Sequence, residues 1–168
     1  MRISEGNSGA PKIECLNPKR NIYVLRWNFI PKKDEDGNEL DNNVTYCEEI
    51  IDHKPSLDEI QDIIISWYNS KIDETILSGF KYEGAIVWLT AENQRNYEAA
   101  LNQAMRTNGK SLPEIYKFGT NAEPVYKQFN TIDELKEFCT QVYNFVKKTL
   151  NDGWAIKNSI KWSDYELD

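Results

Sequence analysis

The sequence predicts an α+β fold, and three observations carry the prediction. NIYVLRWNFI alternates as a strand does, residues 57–76 place apolar side chains at three- and four-residue steps, and two S/T-x-x-E motifs open helical runs. In chain order this gives an N-terminal β-hairpin or small antiparallel sheet, a helix, a short β-ribbon, a second helix, a second β-hairpin and a long C-terminal helix. A chain of 168 residues with 40% apolar character supports one ordinary core and a small appended subdomain.

Each element has a local reason. Residues 1–20 carry Gly6, Gly9, Pro11 and Pro18 among polar neighbours, which predicts a loose arm or a short edge element. Tyr23, Leu25, Trp27 and Phe29 share one face of the first strand, while Ile22, Val24, Arg26, Asn28 and Ile30 share the other. VTYCEEII is a second strand, so residues 21–54 form a hairpin subdomain with Asp36-Gly37-Asn38 near its tip. After Pro55, Ser56 and Glu59 make a capping box, Leu57, Ile60, Ile64, Trp67, Tyr68, Ile72 and Ile76 stripe one helix face, and Gly79 ends the helix. Residues 80–87 form a ribbon hinged at Glu83-Gly84. Thr90 caps the next helix, whose buried side is Tyr97, Ala100, Leu101, Ala104 and Met105, ending at Asn108-Gly109.

IYKF and VYKQF then flank GTNAEP as a hairpin, and Thr131 with Glu134 repeats the capping box. Leu135, Phe138, Val142, Phe145, Leu150, Trp154, Ile156 and Ile160 follow at close to helical spacing, with core packing expected of Trp67 and Trp154. Gly153 inside that run predicts a kink, a break or a close approach by another element. Residues 55–162 thus make an α+β domain, and the acidic residues 163–168 a frayed tail.

The formal net charge of -7 opposes binding to phosphate backbones, so no nucleic-acid partner is expected. No apolar run reaches the length of a membrane span and no signal-peptide core is present, so membrane insertion is not expected and the product should be soluble. Cys15, Cys47 and Cys139 are scattered, without the spacing of a zinc site or a disulfide framework. DEDGNELD invites a calcium loop, but counting from Asp34 puts Glu39 where glycine is needed and Thr45 where a bidentate glutamate is needed, leaving a solvated turn. His53 is the lone histidine and reads as a surface or hinge residue. No nucleophile elbow, P-loop or G-x-G-x-x-G appears, so neither catalytic residues nor a metal or other cofactor are assigned. Carboxylate pairs such as Glu48-Glu49 and Asp58-Glu59 suit strand faces and helix N-termini.

What remains is aromatic. Tyr23, Leu25 and Trp27 on the first strand, with Tyr82 and Trp88 on the ribbon, are the candidate interaction residues. Gly79-Phe80, Tyr82 and Gly84, followed by AIVWLT and the helix-opening Gln94, Arg95 and Asn96, resemble a domain family of unknown function found in tail and tail-fibre proteins of bacteriophages and prophages. Phe129-Asn130-Thr131 and the helix after it fit the remainder, so the resemblance spans residues 57–161, while the N-terminal hairpin lies outside it. The resemblance implies a structural or assembly role in a phage particle. It also implies synthesis in the bacterial host cytoplasm with possible residence in the virion, and a protein partner or self-association without catalysis. The alternative expectation is a glycan-binding or glycan-hydrolysing accessory that uses exposed aromatics and a carboxylate pair.

Overall fold

A computed structural model describes residues 1–167; the part of the expected frayed tail at Asp168 lies outside the described residues. Alternating apolar residues at 22–30 and 44–51 build two long strands, β3 (Ile22–Lys33) and β4 (Glu39–Ile51), joined by the turn expected at Asp36-Gly37-Asn38. The Asp34 carboxylate accepts from the backbone N–H groups of Asp36 (3.0 Å) and Asn38 (2.8 Å), which organises that turn.

Of the two expectations for residues 1–20, the loose arm is not found and the edge element is. These residues supply β1 (Arg2–Asn7) and β2 (Ile13–Asn17), the two edges of an antiparallel sheet ordered β1-β4-β3-β2. Their polar composition suits an edge strand, which has only one neighbour to satisfy. Both faces of the inner strand β3 are covered between Tyr23 and Trp27, whereas Ile3 and Ile50 elsewhere on the sheet are exposed. Trp27 meets Trp67 of helix α1 (Leu57–Ser78) edge-on at 6.1 Å between ring centroids. On the opposite face, beside Arg26, Lys12 bonds Asp164 at 2.6 Å and sits over the buried Tyr165 ring. The segment expected to fray therefore forms a short 3-10 helix, Trp162–Tyr165, held by burial of Tyr165. On the Arg26 face, Glu48 is buried and accepts from Arg2 and from Arg26 Nε (3.0 Å). Burial pushes its carboxyl pKa up, but the bonds from Arg2 and Arg26 outweigh that and hold it below the ordinary value.

The chain divides into two units: residues 1–67 with the segment from Ser159 onward, and residues 68–158. The first boundary between these units falls inside α1. The second unit holds the ribbon β5 (Phe80–Tyr82) and β6 (Ala85–Val87), helix α2 (Ala91–Arg106), the hairpin β7 (Glu114–Gly119) and β8 (Pro124–Phe129), and helix α3 (Ile132–Asn158). Phe138 of α3 centres its core, with ring centroids 4.9 Å from Tyr97, 5.0 Å from Phe129 and 5.1 Å from Tyr82.

Both capping boxes form at the hydroxyl: Glu59 N–H bonds Ser56 Oγ and Glu134 N–H bonds Thr131 Oγ1, each at 3.2 Å. Thr90 Oγ1 accepts from Asn93 N–H at 3.1 Å. Gly79 ends α1 at φ 72°, where an added Cβ would collide with the Val87 carbonyl of the neighbouring strand. α3 runs unbroken through Gly153, and the glycine serves close approach: Ile72 of α1 occupies the space a side chain would need. Met105, Trp154 and Ile156, expected in the core, are exposed. The helical stripe is one residue out of phase at Trp154, since Gly153 takes the buried position and the next residue points about 100° away.

Candidate functional site

Of the five sequence-predicted interaction residues, four are core. Tyr23, Leu25, Trp27 and Tyr82 are buried within the chain, because α1 covers the strand face and the ribbon packs inward on Phe118, Phe129 and Phe138. They offer no surface to a partner. Trp88 is 41% exposed, and its indole N–H donates to the Gly119 carbonyl at 2.6 Å, which fixes the ring. Gly119 also lines a cleft of about 500 Å³ between the ribbon and the second hairpin, with Lys81, Glu83, Thr120 and Glu123 as its polar groups.

A second, smaller hollow of about 300 Å³ gathers Tyr82, Glu83, Lys127, Glu134, Glu137 and Gln141. Two of its three carboxylates are engaged by the fold: Glu83 pairs with Lys127 at 2.7 Å, and Glu134 accepts the Asn130 N–H at 2.8 Å to hold the head of α3. Hydrogen bonding to Glu83 raises the Lys127 pKa, and burial followed by the Glu83 charge raises that of Tyr82. His53 is exposed, as read from the sequence, and its Nε2 lies 2.9 Å from Glu59, so the second capping-box group serves the histidine. Among the described residues, no group of three His, Cys, Asp or Glu side chains converges to hold a metal ion.

A further exposed aromatic surface lies on α3 and includes Trp154, which the sequence placed in the core. Tyr143 is 61% and Trp154 51% exposed on α3. Tyr143 joins two hollows, one of about 430 Å³ lined by Tyr97, Glu98, Leu101, Cys139 and Val142, and one of about 300 Å³ lined by Val146, Lys147, Leu150, Asn151 and Trp154. Each aromatic follows a buried residue, Val142 or Gly153, by one position, so both are turned about 100° from the core. The signal was present as a seven-four-seven spacing, Lys136, Tyr143, Lys147 and Trp154, adjoining the core stripe. The Lys147 ammonium lies over the Tyr143 ring, 5.6 Å from its centroid.

No family model, no curated protein and no solved structure matches the chain. Among the described residues no helix is long and apolar enough to cross a membrane.

Proposed function

We propose that the chain is a non-catalytic interaction module whose working surface is the exposed aromatic face of α3, and that it serves as a structural or assembly component of a phage or prophage tail. The observation that carries the interaction reading is the pair of half-exposed aromatics, Tyr143 and Trp154, set beside two adjoining apolar hollows. Large aromatics bordering pockets are the usual anchors of protein interfaces. The phage setting rests on the resemblance of Gly79-Phe80, Tyr82, Gly84 and the Gln94 cluster. The test is capture by the immobilised chain of proteins encoded beside its own gene, with wild type and the double variant Tyr143→Ala/Trp154→Ala compared. A tail or assembly protein retained by wild type and lost by the variant is expected; equal retention by both would remove α3 as the surface.

The alternative reading, glycan recognition, draws on Trp88. A tryptophan ring fixed by its N–H bond to Gly119, near a cleft with Lys81, Glu83 and Glu123, suits stacking on a sugar with polar groups at its rim. Titration with soluble cell-surface glycans, read by tryptophan fluorescence, checks it: Trp88→Ala should abolish the change, and an unaltered response would reject Trp88 as the platform.

A further inference from the structure

α3 carries four exposed residues on one line, Lys136, Tyr143, Lys147 and Trp154. Seven- and four-residue steps return to nearly the same helix angle, so they form a single stripe roughly 27 Å long. The stripe is symmetric about Phe145. Lys136 and Trp154 stand nine residues to either side, and Tyr143 and Lys147 stand two. A cation at each position is therefore mirrored by an aromatic ring.

A second row lies between the stripe and the core. Cys139 is six residues before the centre and Leu150 five after, while Val146 sits beside it, all three partly buried. The stripe is self-complementary under one operation, a two-fold axis that sets two α3 helices antiparallel, and the second row follows it to within one residue, Leu150 falling opposite Thr140 beside Cys139. Such an interface is isologous: whatever residue i meets on the second copy, that residue meets in return.

We propose that the occupant of the α3 face is a second copy of this chain, paired antiparallel about Phe145. This rests on the reading of α3 as the interaction surface and names its partner. Lys136 faces Trp154 of the second copy, and Lys147 faces its Tyr143, which gives four cation-aromatic contacts related in pairs. Tyr143 already has Lys147 of its own helix over the ring, and its 61% exposure leaves room for the second ammonium. Leu150 of the second copy enters the hollow lined by Cys139, Leu101 and Tyr97, and the two Val146 side chains meet near the axis. Parallel in-register pairing would instead oppose lysine to lysine, so charge selects the antiparallel arrangement. Neither Lys136 nor Lys147 takes part in an ion pair among the described residues.

The contact is small, so its dissociation constant is expected on the order of 10 µM. Sedimentation across two decades of concentration centred there should show a monomer-dimer equilibrium of the full chain. Lys136→Glu/Lys147→Glu should weaken it at least about tenfold, because carboxylates would face the negative ring faces, while circular dichroism stays unchanged. Val146→Cys should give a disulfide-linked dimer under mild oxidation, mapped by mass spectrometry to residue 146 in both copies; Tyr126→Cys, on the exposed outer side of the second hairpin, is the control. A monomer throughout that range, a dimer unaffected by the lysine replacements, or cross-linking no better at 146 than at 126 overturns the proposal. An acidic peptide or single-stranded DNA that binds the stripe of a strictly monomeric chain also overturns it. A monomer that still captures a neighbouring gene product through Tyr143 and Trp154 would sink self-pairing and leave the interaction reading intact.

Discussion

Replacing Gly153 by alanine should destabilise the second unit, although the same change in an exposed helix would stabilise it by about 1 kcal/mol. A Cβ at this position would fall on Ile72 Cγ1 and Cδ1, far inside the roughly 3.5–4.0 Å optimum for carbon pairs. It would stand 3.8 Å from Ile72 Cβ, an ordinary contact. The collision is therefore confined to the outer half of the isoleucine, and a rotation about χ1 relieves it. In a helix one χ1 well holds about 90% of isoleucines, so leaving it costs about 1.3 kcal/mol. Ile72 is buried, and fitting its displaced arm among packed neighbours adds about 1–2 kcal/mol. Set against the helix-propensity gain, the net loss is about 1–2 kcal/mol.

The assay is a double-mutant cycle. Ile72→Ala removes both colliding carbons, and in that background Gly153→Ala should recover its propensity gain of about 1 kcal/mol, which makes the coupling about 2–3 kcal/mol. With two units, denaturant curves need not be two-state, so hydrogen exchange of the α3 amides is the cleaner readout. Stabilisation by Gly153→Ala in the wild-type background, or the same effect with and without Ile72, would refute the claim that close approach by Ile72 dictates this glycine.

Glu48→Ala leaves Arg26 without its buried counter-charge and should cost the first unit about 3–5 kcal/mol at neutral pH, measured by urea unfolding. Because the Glu48 carboxyl is held below its ordinary value by Arg2 and Arg26, its contribution is present above the unfolded pKa and lost as pH falls through the folded one. The gap between wild type and variant should therefore close on acidification. His53 shows the opposite sign: hydrogen bonds first to Glu59 and then to Asp52 raise its pKa above 6.5, so the pairing is present below that value and lost as pH rises through the folded pKa. As the only histidine it gives a single imidazole titration by NMR, which should move down in Glu59→Gln; an unmoved titration would show that the Glu59 contact is absent in solution.

Much of the fold was legible because the signals were local. Thr90, Ser56 and Thr131 cap their helices through their own hydroxyls, and Asp34 organises its turn through its own carboxylate, so short windows of sequence sufficed. β1 and β2 were legible only as one arm or a short edge element because RISEGN and IECLN carry little alternation; the partner of β1, β4, lies far along the chain, whereas β2 pairs with the next strand, β3. Tyr23, Leu25 and Trp27 do share a strand face, but a hairpin alone would expose one side, and this one does not. Val24 on the other face is just as buried, since β3 is an inner strand covered on both sides. The candidate surface was misplaced for a related reason. A stripe counted at three- and four-residue steps tolerates an error of one residue, and that error, about 100° of rotation, turns Trp154 from the core to the surface.

In the proposed antiparallel pair the lysines on that stripe have a double role that follows from their spacing. Apolar residues alone at positions 136, 143, 147 and 154 would make an uninterrupted exposed seam, able to pair in several registers and in either direction. Lysine at 136 and 147 breaks the seam into two isolated rings and keeps the free face hydrated. Sliding one helix by a turn in the antiparallel pair sets Lys147 opposite its own mate or Tyr143 opposite its own, whereas the register centred on Phe145 gives every cation a ring. Two charges therefore specify direction and register together, at the expense of some apolar contact, as a single polar residue does in a coiled-coil seam.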